Sequence, residues 1–347
     1  MAFTLMLNSL SKLSGDAVRK GSSTAAAALL IRKERMKLNI FTVDAFAHKP
    51  FAGNPAAVVP LTQTLQDSAL QDIARELNLS ETAYVIPVNG SAITDENCSW
   101  AESCRFSLRW FTPTNEVPLC GHATLATAHV LFRHLGNTNN QIEFETKSGV
   151  LLARRSGEKI VLDFPKNPPC ELHPTLKADL AGLVKAAVRD DLPVKELKIS
   201  HETKKLLIRL ADSCTRKDLE SLRPDTGLLM SLHDGTVIKG VMVTLRGRLP
   251  LEEEVEEKVI NDEEQDSKQY HVLSRYFAPW NGIPEDPVTG GAHTVLGPYW
   301  SEELGITTLK CRQCSPRGGD LEVTIRSDGR VDLAGRATTV IQGSINI

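Results

Sequence analysis

Pro118-Leu119-Cys120-Gly121-His122-Ala123 and Pro287-Val288-Thr289-Gly290-Gly291-Ala292 lie over one another with proline, an aliphatic residue, a small residue, glycine and alanine in register. Each hexapeptide runs into an apolar, helix-like stretch, so each reads as a loop feeding a helix N-terminus. Unpaired backbone N–H groups and the positive end of the helix dipole gather there, and glycine lets an anion come close to them. Two such ends facing one another would grip a carboxylate. The echo predicts two related halves with a site where the two loops meet.

Outward from the first hexapeptide, residues 121–135 are apolar on nearly every face, which places that helix inside a core. Residues 38–44 alternate and are rich in branched and aromatic side chains, and residues 56–60 form a short apolar run after the turn signal Gly53-Asn54-Pro55; both read as strands. Residues 65–77 have helical spacing, residues 83–88 and 106–111 read as strands, and Glu81 sits at the helix-to-strand junction. The second half repeats the plan less clearly. Strands are expected near residues 150–154, 159–164, 206–210, 237–244, 321–325 and 338–347, with helical propensity at 176–188. Gly297-Pro298 falls inside the expected second central helix. A proline there lacks an N–H and crowds the carbonyl of Thr294, which predicts a kink or an early end.

The chain has 347 residues, more than the usual single domain of about 100–200, so two domains of similar size are expected. The reading divides it into an extension at 1–35, an N-terminal half at 36–150, a C-terminal half at 151–335 and a terminal strand at 336–347 that returns to the first half. Hydrophobic content of 41% and charged content of 24% are ordinary for a globular protein. A formal net charge of −3 provides no broad basic surface, which argues against nucleic acid as a partner. No run approaches the roughly 18 consecutive apolar residues of a membrane-spanning helix, so a soluble protein without a membrane partner is expected.

Seven cysteines form an odd, scattered set, which points to a reducing compartment. Cys311 and Cys314 have the spacing of half a zinc site, but neither a second pair nor clustered histidines accompany them, so they read as core residues. Residues 1–35 are basic, serine-containing and alanine-rich, the composition of a chloroplast or mitochondrial transit peptide. A disordered tail, or an extension upstream of a start at Met36, would look the same; without targeting the cytoplasm is expected. The acidic run at 251–267 reads as a solvated loop.

Several segments together carry a family resemblance: Phe41-Thr42-Val43-Asp44-Ala45-Phe46, Gly53-Asn54-Pro55-Ala56, Asn78-Leu79-Ser80-Glu81-Thr82, Arg109-Trp110-Phe111-Thr112-Pro113, Cys120-Gly121-His122-Ala123-Thr124, Phe277-Ala278-Pro279-Trp280 and Glu285-Asp286-Pro287-Val288-Thr289-Gly290. In this order the chain resembles the PhzF-like family of phenazine biosynthesis and its relatives, which share the fold of diaminopimelate epimerase. The resemblance implies an α+β fold of two similar halves, each a curved mixed sheet or barrel around a central helix, with the active site in the cleft between. It puts proton transfer on Glu81, assisted by His122 and Asp286. It also implies a homodimer, and substrate contacts at Asn54, Cys120, Gly121, Thr289, Gly290 and Gly291. At Gly291 many relatives have serine, so one hydroxyl is missing here.

The chemistry implied is a cofactor-independent isomerase that moves a carbon-bound proton on a small carboxylate-bearing substrate. One carboxyl group can take and return the proton, and an apolar cleft raises its pKa toward the working pH. A neutral His122 beside a positive dipole end could polarise a carbonyl, and Asp286 could orient that histidine or bind substrate. No dinucleotide or phosphate-loop glycine motif is evident, in keeping with cofactor independence. Two alternatives stay open. One is a non-catalytic scaffold that keeps the fold. The other is an epimerase using Cys120, weakened because the echo offers Thr289 where a second thiol would stand, and a hydroxyl is too weak an acid to replace it.

Overall fold

Alternating and branched segments become strands, and the two runs that are apolar on every face become central helices. The computed structural model describes residues 36–88, 100–248 and 269–347. The extension at 1–35, Cys98 and the acidic run at 251–267 lie outside the described residues. In chain order the first topological repeat, which extends past the boundary expected at residue 150, comprises β1 (Lys37–Ala45), β2 (Asn54–Pro60), α1 (Asp67–Leu77), β3 (Glu81–Pro87), β4 (Arg105–Phe111), β5 (Glu116–Val117), α2 (Gly121–Arg133), β6 (Gln141–Thr146), β7 (Gly149–Ser156) and β8 (Lys159–Pro165). The second begins with β9 (Cys170–Glu171), α3 (Pro174–Asp179), α4 (Ala181–Ala187), β10 (Val194–Ser200), β11 (Lys205–Leu210), α5 (Arg216–Ser221), α6 (Thr226–Leu232) and β12 (Gly240–Arg246). It ends with β13 (Val272–Phe277), α7 (Gly290–Leu304), β14 (Thr308–Gln313), β15 (Gly319–Ile325), β16 (Arg330–Gly335) and β17 (Ala337–Asn346).

The pairing pattern is written twice. From β1 to β2, β3, β4, β6, β7 and β8 successive pairs run antiparallel, parallel, antiparallel, parallel, antiparallel and antiparallel. From β10 to β11, β12, β13, β14, β15 and β16 they run in the same sequence. The last strands of the repeats, β8 and β16, pair antiparallel and join them. Beyond that seam β9 pairs with β10 and β17 pairs with β1. Each repeat inserts its long helix at the parallel crossover, α2 between β4 and β6 and α7 between β13 and β14.

Both central helices belong to one hydrophobic core, with Leu125, Val130 and Leu131 of α2 and Val295, Leu296 and Trp300 of α7 buried in it. The hydroxyls that α2 buries are satisfied within the helix: Thr124 donates to the Cys120 carbonyl at 2.6 Å and Thr127 to that of Ala123 at 2.7 Å. A second core lies under the short helices of the second repeat, where Leu183, Leu219 and Leu229 meet β10 to β12.

The early end expected at Pro298 does not occur; α7 runs through it to Leu304. The Thr294 carbonyl, which Pro298 cannot serve, accepts the backbone N–H of Asn167 at 3.0 Å, and the Asn167 side chain donates to the Thr294 hydroxyl at 2.9 Å. An acceptor that has a partner elsewhere removes much of the reason for a helix to end. Gly297 packs against β15 so closely that a Cβ there would lie 2.6 Å from Val323. The helical stretch at 176–188 is likewise two short helices, α3 and α4, rather than one. Cys311 lies in the first core and Cys314 in the second, and both thiols are free. Among the described residues no cluster suited to a metal is present, and no helix is long and apolar enough to cross a membrane.

Candidate active site

Four elements begin at one place: β2 at Asn54, β3 at Glu81, α2 at Gly121 and α7 at Gly290. The two helix starts face one another. A Cβ on Gly121 would lie 3.7 Å from the Gly290 Cα, and one on Gly290 would lie 3.8 Å from the Gly121 Cα. These are ordinary van der Waals distances, so the two first turns lie in contact. Neither Cys120 nor Thr289 caps its helix with its side chain, so first-turn N–H groups are left for another acceptor. Both helices open on a cleft of about 750 Å³ whose walls include Glu81, His122, Asp286, Thr289, Tyr276 and Lys205.

Glu81 has neither an ion-pair partner nor a hydrogen-bond partner among the described residues, and its buried Oε2 is unsatisfied. Burial, and then the nearby charge of Asp286, push its carboxyl up to about 8. Asp286 is held differently. Its Oδ1 accepts from the Asn54 amide at 2.7 Å and its Oδ2 from the Thr289 hydroxyl. Burial raises Asp286 to about 6, with the Thr289 and Asn54 bonds pulling the other way. At neutral pH the pair therefore consists of a largely protonated Glu81 and an ionised Asp286, since two neighbouring carboxylates in a dry cleft resist ionising together.

Hydrogen-bond polarity determines the state of His122. The Ser80 hydroxyl lies 3.1 Å from the Pro55 carbonyl, which only accepts, so Ser80 donates there. Ser80 must then accept from His122 Nε2, 3.3 Å away. His122 Nδ1 is left as the acceptor for the Cys120 thiol at 3.3 Å. Burial lowers the ring to about 3 and raises the Cys120 thiol well above its ordinary value. Both groups are neutral, and burial rather than the helix dipole is the first cause.

The three expected catalytic residues thus share one cleft, but two expected contacts are absent. Asp286 does not touch His122; they connect through Asn54, whose Oδ1 lies 3.4 Å from the Ser80 hydroxyl. With both ring nitrogens occupied by protein groups, His122 holds the wall and has no free N–H for a substrate carbonyl. Ser80 and Gln313 had no assigned role in the sequence, although Ser80 adjoins Glu81. Gln313 accepts the Thr289 N–H at 2.9 Å and donates to the Asp286 carbonyl at 2.5 Å, pinning the second hexapeptide from β14.

A family model described as phenazine biosynthesis-like protein matches residues 43–343. The chain belongs to the phenazine biosynthesis-like family. Within it, the chain is similar to phenazine biosynthesis-like domain-containing protein 2 of Mus musculus, at 47% identity over 312 residues, 89% of this chain and 99% of that protein. A Pseudomonas aeruginosa protein named as an uncharacterized isomerase is 39% identical over 312 residues, 90% of this chain and 100% of that one. The crystal structure of a PhzF family protein from Enterococcus faecalis matches with a TM-score of 0.72 at 33% identity, covering 90% of this chain and all 100% of that one. The two-half α+β fold of this phenazine biosynthesis-like protein is accordingly the diaminopimelate epimerase-like one.

Proposed function

We propose that this phenazine biosynthesis-like protein is an isomerase that moves a carbon-bound proton on a small carboxylate-bearing substrate, with Glu81 as acid and base. The observation that carries the reading is a carboxyl group buried in a cleft without a partner among the described residues, beside two helix N-termini that suit an anion. The isomerase name of the Pseudomonas aeruginosa relative supports the reaction class.

In the forward step ionised Glu81 takes a proton from a carbon next to the carboxylate or a conjugated system. The electron pair left on carbon spreads toward the carboxylate oxygens, where helix N–H groups stabilise the growing charge. Glu81, now neutral, returns the proton to a second carbon, the double bond shifts, and the net change is isomerisation. A group poised near 8 exchanges its proton readily at neutral pH. Asp286, fixed by Asn54 and Thr289, disfavours ionised Glu81 and so makes it a stronger base, which favours taking the proton from carbon. Cys120 is unsuited to act as the base, because its thiol is neutral and donates to His122.

Proton NMR in deuterated water tests this with a panel of small amino and hydroxy carboxylates. Deuterium entering carbon with the wild type and not with Glu81→Gln is expected; equal entry with both proteins counts against the assignment.

A further inference from the structure

The repeated topology supplies each first-half residue with a counterpart. Glu81 opens β3 as the register partner of Ala56 on β2, and Gly240 opens β12 as the register partner of Lys205 on β11. Where the first repeat carries a carboxyl group, the second carries no side chain. Tyr276 of β13 fills the space, for a Cβ on Gly240 would lie 2.1 Å from its hydroxyl. Tyr276 is 5% exposed and lines the cleft, and its hydroxyl has no hydrogen-bond partner among the described residues. Paired residues of neighbouring strands point to the same face, so Lys205 stands beside this phenol.

Among the described residues lining the cleft, Lys205 is the one lysine or arginine. Its ammonium donates to the Thr203 carbonyl at 3.3 Å, and no described carboxylate pairs with it. Its Nζ lies 4.0 Å from where a Cβ on Gly291 would be, in the first turn of α7. Burial lowers the amine to about 8. An anionic substrate entering this cleft meets both Asp286 and Lys205, and electrostatics orients it with its charge toward the lysine and away from the aspartate.

We propose that Lys205 and Tyr276 are substrate-binding residues that hold the substrate's carboxylate against the N-terminus of α7, turning its reacting carbon toward Glu81. This rests on the reading of the cleft as the site of a carboxylate-bearing substrate. The ammonium supplies the charge, and the phenol donates a second hydrogen bond to the same group. Lys205 then stands in for the hydroxyl that Gly291 lacks.

The test is binding, which needs no turnover. Benzoate and succinate, each against its neutral amide, are titrated by saturation-transfer NMR into the wild type, Lys205→Gln, Lys205→Arg and Tyr276→Phe, with unfolding midpoints recorded for each protein. The wild type is expected to prefer the acid in at least one pair by about tenfold. Lys205→Gln should abolish that preference, Lys205→Arg should retain much of it, and Tyr276→Phe should weaken acid binding severalfold while its ring still fills the space over Gly240. No preference in the wild type, or an undiminished one in folded Lys205→Gln, overturns the proposal. Acid preference without any deuterium exchange would keep this binding site and remove the isomerase reading; exchange without acid preference would do the reverse.

Discussion

The side-chain amide of Asn54, at the start of β2, donates to Oδ1 of Asp286 at 2.7 Å across 232 residues of chain. The same amide reaches the Val288 carbonyl at 3.0 Å, so one fully buried side chain ties the two repeats together at the cleft. Replacing it leaves a buried carboxylate and a buried carbonyl short of a donor. Asn54→Ala is expected to cost about 1–3 kcal/mol in urea unfolding, and Asp286 should titrate above its wild-type value.

Stability should depend on pH through Glu81. Its folded pKa lies near 8 against an ordinary 4.5, so between those values the folded protein binds more protons than the unfolded one. Stability from this group is full below about 4.5 and declines as pH rises toward 8. Glu81→Gln removes the decline. The variant is expected to gain on the wild type across that window by at most about 1.4 kcal/mol per pH unit, and to show no further gain above pH 8. Urea midpoints at a series of pH values measure this, and parallel curves would contradict it.

The thiols should react in an order set by exposure and charge state. Cys104 and Cys170 are exposed, whereas Cys120 is buried, neutral and bonded to His122. Iodoacetamide at pH 7 should label the first two well before Cys120, read by peptide mass spectrometry. Deuterium exchange should survive Cys120→Ala within about tenfold, since the thiol only supports the histidine.

Pro298→Ala should change stability by less than about 1 kcal/mol, although a proline inside a helix ordinarily costs about 3 kcal/mol. The Thr294 carbonyl already has the Asn167 N–H, so a new N–H at position 298 finds its acceptor occupied. A gain near the full penalty in urea unfolding would show that the Asn167 contact does not compensate.

The echo of the two hexapeptides carried the most information, because both are short loops that meet at their glycines, at 121 and 290. Helices α1 and α2 and strands β1 and β2 were legible from periodicity. Strand β13 was not, because a basic residue lies inside it: Arg275 is 3% exposed, paired with Glu285 and hydrogen-bonded to the Leu219, Glu220 and Leu222 carbonyls. Local pattern cannot show such a rescue from another element. The course of α7 through Pro298 likewise depends on Asn167, which lies just beyond β8. Within the site, Glu81, His122 and Asp286 came from motif resemblance. Lys205 and Tyr276 could be found only once strand register had placed them beside Gly240.

The central claim is that Glu81 carries the proton, and deuterium incorporation from heavy water tests it most directly. Wild type and Glu81→Gln, both verified as folded, are incubated with the same carboxylate panel and followed by proton NMR. The account predicts loss of a carbon-bound proton signal from at least one substrate with the wild type alone. Incorporation at the same rate with Glu81→Gln, or none by the wild type across the panel, would contradict it.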